Sequence, residues 1–181
     1  MSTVSRVFKA SLMLVSALAL TACGFHLRQS AALPAAMQRV HLAVNGGADL
    51  QRDLARALES SGATVEERSG PGVAELKVPV ASFSTETLTV SGYARVTEYA
   101  VRYQVQFQLE DGAGQVLLPS QSISMSREFS YDATNTIGTT AQVEEIQRSL
   151  NDDMVQSILF RLQALQKHGG VVAPASASST R

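Results

Sequence analysis

The clearest pattern in the sequence is an alternation of apolar and polar side chains over residues 95–110, from which only Ala100 departs. The apolar positions are Tyr99, Val101, Tyr103, Val105, Phe107 and Leu109, and the polar positions are Glu98, Arg102, Gln104, Gln106 and Gln108. Because successive side chains of a β-strand point to opposite faces, this period predicts a strand with one buried and one solvated face. The pattern therefore favours a sheet that is covered on one side only.

Three more segments are predicted to be strands, residues 39–44, 74–90 and 115–131, with turns at 91–94 and 111–114. Residues 64–65 are predicted to form a short extended piece. Pro79 and Pro119 interrupt two of the strands. Since proline cannot donate a backbone hydrogen bond, each predicts an edge strand or a bulge.

Two segments have helical spacing of their apolar residues. The first is residues 48–61, and the second begins at Thr139 or Thr140 and runs to about Lys167. The apolar stripe of the second helix is Val143, Ile146, Leu150, Met154, Ile158, Leu162 and Leu165. The order β-α-β-β-β-α predicts an α+β fold in which two helices pack on one face of a four-stranded mixed sheet.

The N-terminus has the pattern of a bacterial lipoprotein signal peptide. A basic start is followed by an apolar run at residues 10–20, too short to span a bilayer, and then by Leu20-Thr21-Ala22-Cys23. We expect removal of residues 1–22 and acylation of Cys23 with diacylglycerol and an amide-linked fatty acid such as palmitate, as in Gram-negative lipoproteins. The alternative is an ordinary signal peptide with a cysteine there by chance. The residue after Cys23 is Gly24 and not the aspartate that commonly retains lipoproteins in the inner membrane. We therefore expect sorting to the outer membrane.

The mature chain is then predicted to have three parts. Residues 23–38 form an acylated linker, residues 39–168 form the α+β domain, and residues 169–181 form a disordered tail of low complexity. With a single cysteine, no disulfide within the chain is available.

The sequence has few features that indicate catalysis or metal binding. It has three histidines without metal-ligand spacing, and no nucleophile, metalloprotease or phosphate-loop motif. The carboxylate pairs 66–67, 144–145 and 152–153 are neighbours in sequence, so they point apart. A formal net charge of −1 argues against nucleic-acid binding. We therefore expect a protein that is not an enzyme and has no metal or cofactor.

The glutamines of the 95–110 strand leave two interpretations open. They could form an ordinary solvated face, or they could contact a polar wall of a partner, because amides lose less than full charges on leaving water. The second interpretation assigns partner contacts to Arg102, Gln104, Gln106 and Gln108.

Three short motifs resemble the LptE family of lipopolysaccharide-assembly outer-membrane lipoproteins. They are Cys-Gly-Phe-His-Leu-Arg at residues 23–28, Thr-Glu-Tyr at residues 97–99, and the closing helix with Asp153-Met154 and Arg161-Leu162. The resemblance covers Cys23 to about residue 166. It implies a small α+β lipoprotein that sits as a plug inside a large β-barrel translocon, with one lipoprotein for each barrel. It also implies that the lipoprotein helps the barrel to assemble and to insert lipopolysaccharide into the outer leaflet.

The resemblance also implies contact with lipopolysaccharide through basic residues near the loops of the sheet. The basic residues available here are Arg95, beside the turn at 91–94, and Arg127 on the return strand; residues 132–142 contain no lysine or arginine. Two other classes stay open from the sequence, a pilotin that escorts another outer-membrane channel and a periplasmic lipid carrier.

Overall fold

The computed structural model describes residues 33–90, 96–130 and 136–167, and the side chains of residues 33–88, 98–130 and 138–166. The predicted signal peptide, the predicted acylation site Cys23, Arg95 and the predicted tail at 169–181 lie outside the described residues. Of the predicted linker, residues 33–38 are described, and they contain a short 3₁₀ turn at Ala35–Met37.

The described chain forms a five-stranded mixed sheet and two helices. The elements in chain order are β1 (Arg39–Val44), α1 (Ala48–Ser60), β2 (Thr64–Glu66), β3 (Ala74–Val90), β4 (Val96–Glu110), β5 (Val116–Ser130) and α2 (Thr136–Lys167). The sheet order is β2-β1-β3-β4-β5. The predicted α+β class with two helices and a mixed sheet is confirmed, and α2 begins three residues before the predicted Thr139.

The sheet has one strand more than the four that the sequence predicts. The short piece at residues 64–65 is part of β2, which pairs parallel with β1. Side chains of β1 support the pairing: Arg39 Nε lies 2.7 Å from Glu66 Oε1, and His41 Nδ1 donates to the Glu66 carbonyl oxygen at 3.0 Å. Because β2 has only three residues, its sequence is too short to show the alternation that would identify it as a strand.

The remaining pairings follow the chain. β1 pairs parallel with β3, and β3, β4 and β5 form an antiparallel meander. The register of β3 shifts between Lys77 and Val80, around Pro79. Since β3 lies inside the sheet, the proline marks a bulge rather than an edge. Pro119 lies in β5, which is an edge strand and shifts register nearby, between Leu118 and Gln121.

Both helices contribute to one core on one side of the sheet. The alternation of β4 places Val101, Tyr103, Val105, Phe107 and Leu109 in this core, all nearly or fully buried. The helices contribute Leu50, Leu54 and Leu58 from α1 and Leu150, Met154, Ile158, Leu162 and Leu165 from α2. Burial of this kind, at about 25 cal/mol per Å² of apolar surface, holds the two layers together.

Candidate functional site: an uncovered polar sheet face

The side of the sheet opposite the core is lined by small and uncharged polar side chains. The cross-strand register places Gln104 between Ser82 and Ser124, and Arg102 between Ser84 and Ser126. Paired residues of antiparallel strands point to the same face, so three strands contribute to one surface. We call this surface the polar face; its members are Ser82, Ser84, Arg102, Gln104, Gln106, Gln108, Ser122, Ser124 and Ser126, and all are exposed or half-buried.

The cations Arg102 and Lys77, on this side of the sheet, are each paired with a carboxylate of the same side. Arg102 Nη2 lies 2.8 Å from Glu86 Oε2, on the neighbouring strand. Lys77 Nζ lies 2.7 Å from Glu110 Oε2 and 3.5 Å from Glu75 Oε2. The hydrogen bond to Glu110 raises the pKa of Lys77, which keeps its ammonium charged. These pairs neutralise the two cations, and the register places two further carboxylates, Glu98 and Glu128, on the same side, so this surface carries a net negative charge.

The structure brings together four of the predicted site residues and separates a fifth. Arg102, Gln104, Gln106 and Gln108 share the polar face, at alternate positions of β4. Arg127 is the register partner of Val101, so its side chain leaves the sheet on the helix side. Its Nη2 lies 2.8 Å from Asp153 Oδ2 of α2, and both side chains are about half exposed.

The serines of the polar face were missed in the sequence. Ser122, Ser124 and Ser126 alternate with Ile123 and Met125, which gives a period of two. Because serine is less polar than glutamine, this alternation is harder to recognise in the sequence than the alternation of β4. Their alignment with Gln104 and Gln106 depends on the register between strands, which local sequence does not fix.

On the helix side, an open groove of about 620 Å³ lies between the start of α1, strands β3 and β4, and α2. Its floor includes Phe83 stacked on Tyr103, with ring centroids 3.9 Å apart. Burial, and secondly the negative charge of Asp49, raise the pKa of Tyr103 to about 12. Its walls carry Asp49, Arg52, Asp53, Arg56, Glu144, Arg148, Asn151 and Asp152. A lining this charged does not suit an acyl chain, because lipid pockets are mostly apolar.

Within residues 33–90, 96–130 and 136–167, no group of three or more His, Cys, Asp or Glu side chains is arranged to hold a metal ion. In the same ranges, no helix is long and apolar enough to cross a membrane. Asp153 of the 152–153 pair is engaged by Arg127, as part of an exposed ion pair.

The fold and the site define a class of protein: a two-layer α+β domain that displays a polar sheet face. A family model for LptE, lipopolysaccharide-assembly, matches residues 37–162, from the turn before β1 well into α2. This is well over half of the chain, and the chain belongs to the LptE family. The family consists of non-enzymatic lipopolysaccharide-assembly lipoproteins, which confirms the resemblance and the expectation that the chain is not an enzyme. Its role is in lipopolysaccharide assembly, as a lipid-anchored protein of the cell envelope.

Solved structures of lipoproteins have the same fold. The solution structure of an uncharacterized lipoprotein B from Nitrosomonas europaea is 26% identical with a TM-score of 0.69, covering 81% of this chain and 94% of that one. A minor lipoprotein from Acinetobacter baumannii is 22% identical with a TM-score of 0.59, over 71% and 92% of the two chains. The rare lipoprotein B from Shewanella oneidensis is 16% identical with a TM-score of 0.62, over 72% and 97%. A comparison with curated protein sequences gives no match.

Proposed function

We propose that this chain is an outer-membrane lipoprotein that plugs a large β-barrel translocon, helps it to assemble, and thereby takes part in inserting lipopolysaccharide into the outer leaflet. Membership of the LptE family supports a role in lipopolysaccharide assembly. The observation that carries the finer proposal is the polar face, a broad surface of serine and glutamine on the side of the sheet away from the helices.

The chemistry of the polar face suits the lumen of a large barrel. Inward-facing residues of transmembrane barrels are polar, so a plug must present polar groups to them. Hydroxyl and amide groups cost less to desolvate than charges, and they both donate and accept hydrogen bonds. Arg102 brings its own counter-ion, Glu86, which lowers the penalty of removing the pair from water.

The length of the strands supports the same arrangement. β4 has 15 residues, and at about 3.4 Å per residue it is about 50 Å long. The apolar band of an outer-membrane barrel is about 25 Å tall. A sheet of this length can therefore line the lumen through the whole membrane and extend beyond it. We propose that the acylated Cys23 holds the chain to the periplasmic side of that membrane.

Direct contact with lipopolysaccharide stays a prediction. A lipid phosphate at Arg127 would have to displace the Asp153 carboxylate, which already lies 2.8 Å from the guanidinium. We therefore take Arg95, beside the turn that the sequence predicts at residues 91–94, as the better residue to test, because a guanidinium can bind phosphate with two hydrogen bonds.

The proposal is tested by recovery of the barrel with tagged chain from mildly solubilised membranes, with the co-purifying barrel identified by mass spectrometry. The double variant Arg102→Glu with Gln106→Glu places unpaired charge on the polar face and should reduce recovery by about tenfold or more. Gln104→Ala alone should have a small effect, because one exposed hydrogen bond contributes about 0.5–1.5 kcal/mol.

The matched control is Arg52→Glu with Gln51→Glu, the same chemical change on exposed residues of α1. It should leave recovery close to wild type. Equal losses from the two double variants, or none from the first, would overturn the assignment of the polar face. Identification of a secretion channel instead of a lipopolysaccharide translocon would favour the pilotin.

A further inference from the structure

Among the described strands, none pairs with the outer edge of β5, which is long. β5 is the last strand of the sheet order, and it pairs with β4 without a register shift from Gln121 to Ser130. The other edge of the sheet is β2, which has only three residues. A strand at a sheet edge presents unpaired N–H and C=O groups that can pair with another chain.

A hydrogen bond from α2 shows which groups point outward. Arg161 Nη1 donates to the carbonyl oxygen of Ser122 at 3.3 Å, and it lies 3.4 Å from Gln121 Oε1. In an antiparallel ladder, backbone groups of alternate residues point to opposite sides of the strand. The outward N–H and C=O groups therefore belong to residues 122, 124, 126, 128 and 130, whose side chains are Ser, Ser, Ser, Glu and Ser.

The usual protection of an exposed edge is weak along this stretch. Proteins block edges with proline, lysine, bulges or very short strands. Residues 122–130 contain neither proline nor lysine, the register is continuous, and the one arginine, Arg127, is held by Asp153. Small serine side chains leave the backbone accessible to an approaching chain.

The surroundings of this edge indicate the chemistry of a partner. Phe160 of α2 is 65% exposed and follows Asp153 by seven residues, which places it on the face of α2 that reaches β5. On the opposite side, Glu128 is exposed and has no ion-pair partner among the described residues. A partner strand would thus meet an apolar ring on one side and serines with one carboxylate on the other.

We propose that the β5 edge from Ser124 to Ser130, beyond the Ser122 carbonyl that Arg161 already contacts, accepts an extended segment of the barrel partner as a sixth strand. The segment would carry hydroxyl or amide side chains in line with the serines, an apolar side chain toward Phe160, and a lysine or arginine opposite Glu128. Such strand addition derives its affinity from backbone hydrogen bonds. This inference rests on the proposed function, because it takes the barrel as the source of the segment.

The test compares the contributions of the backbone N–H and of the side chain at one position of β5. Ser124→Pro and Ser124→Ala both remove the hydroxyl, but only proline removes the outward N–H, and it leaves the pairing with β4 intact. We expect Ser124→Ala to recover the barrel within about twofold of wild type and Ser124→Pro to recover about tenfold less. Thermal unfolding of the two variants shows whether both are folded.

Hydrogen exchange of the wild-type complex is the second measurement, and it decides the matter if Ser124→Pro does not fold. The amides of residues 124, 126, 128 and 130 should exchange about tenfold more slowly in the purified complex than in the isolated chain. Equal exchange overturns the inference, as does equal recovery of the barrel by a folded Ser124→Pro protein, and both results leave the proposed function standing.

Two other outcomes overturn the inference in different ways. A wild-type chain that recovers no barrel overturns the proposed function and the sixth strand together. A concentration-dependent dimer in sedimentation, formed by wild type and Ser124→Ala but not by Ser124→Pro, would assign the edge to a second copy of this chain.

Discussion

Ile158 offers a sharp test of how α2 packs on the sheet. Its side chain is fully buried, in the middle of the apolar stripe and one turn from Met154 and Leu162 on either side. Ile158→Asp removes an apolar side chain whose burial is worth about 1.5–3 kcal/mol. It also places a carboxyl group in an apolar cluster.

The magnitude follows from two costs. An aspartate with an ordinary pKa of about 3.9 must be protonated to enter the core, and at about 1.36 kcal/mol per pH unit this costs about 4 kcal/mol at pH 7. With the lost burial, the sum is about 6 kcal/mol, against a typical domain stability of about 5–15 kcal/mol. At about 2–4 °C per kcal/mol for a chain of this size, Tm should fall by about 20 °C.

The assay is thermal unfolding of the unacylated chain, followed by circular dichroism. Gln156→Asp, at an exposed position two residues earlier, is the control, because it carries the helix-propensity cost of aspartate without burial. The deficit of Ile158→Asp against wild type should shrink as the pH falls toward about 4, because the aspartate of the unfolded chain is then increasingly protonated and the cost of protonating it in the core falls. A Tm within about 5 °C of wild type would refute the packing of α2 described here.

Three further predictions concern other parts of the chain. A tyrosine in the unfolded chain ionises near pH 10, whereas the pKa of Tyr103 in the folded chain is raised to about 12. The free energy of unfolding should therefore fall as the pH rises from about 10 to about 12. Thermal melts at several pH values should show a smaller fall for Tyr103→Phe than for wild type. Cys23→Ser with an alternative cleavage site should give a periplasmic protein without its anchor, and continued fractionation as an integral membrane protein in the absence of the barrel would contradict this. Arg95→Glu should weaken lipopolysaccharide binding by the isolated chain and spare the barrel complex; unchanged lipid binding would remove the direct-contact role.

Much of the fold could be predicted because its signals are local and repeated. The alternation over residues 95–110 identified β4 and its buried face, and the stripe from Val143 to Leu165 identified α2. Both elements are long, so each pattern recurs many times and needs no knowledge of the partner element. The class of fold follows once one-sided strands and one-sided helices must cover each other.

The rest depended on contacts between residues far apart in sequence. β2 is a strand only because β1 lies beside it, and Glu66 contacts Arg39 from 27 residues away. The ion pair of Arg127 with Asp153 requires both the register of β5 and the docking of α2. The sequence suggested the glutamine side of the polar face, but the serines that complete it became visible only with the register of three strands.

The central claim is that the polar face lies against the wall of a barrel, and site-specific photo-crosslinking in intact cells tests it most directly. A photoreactive residue at Gln104, in the middle of the polar face, should give a crosslink to the lipopolysaccharide-assembly barrel. The same residue at Gln51, exposed on α1 on the other side of the domain, should give much less. Strong crosslinking from Gln51 with none from Gln104 would contradict the account, because the sheet would then face away from the barrel wall.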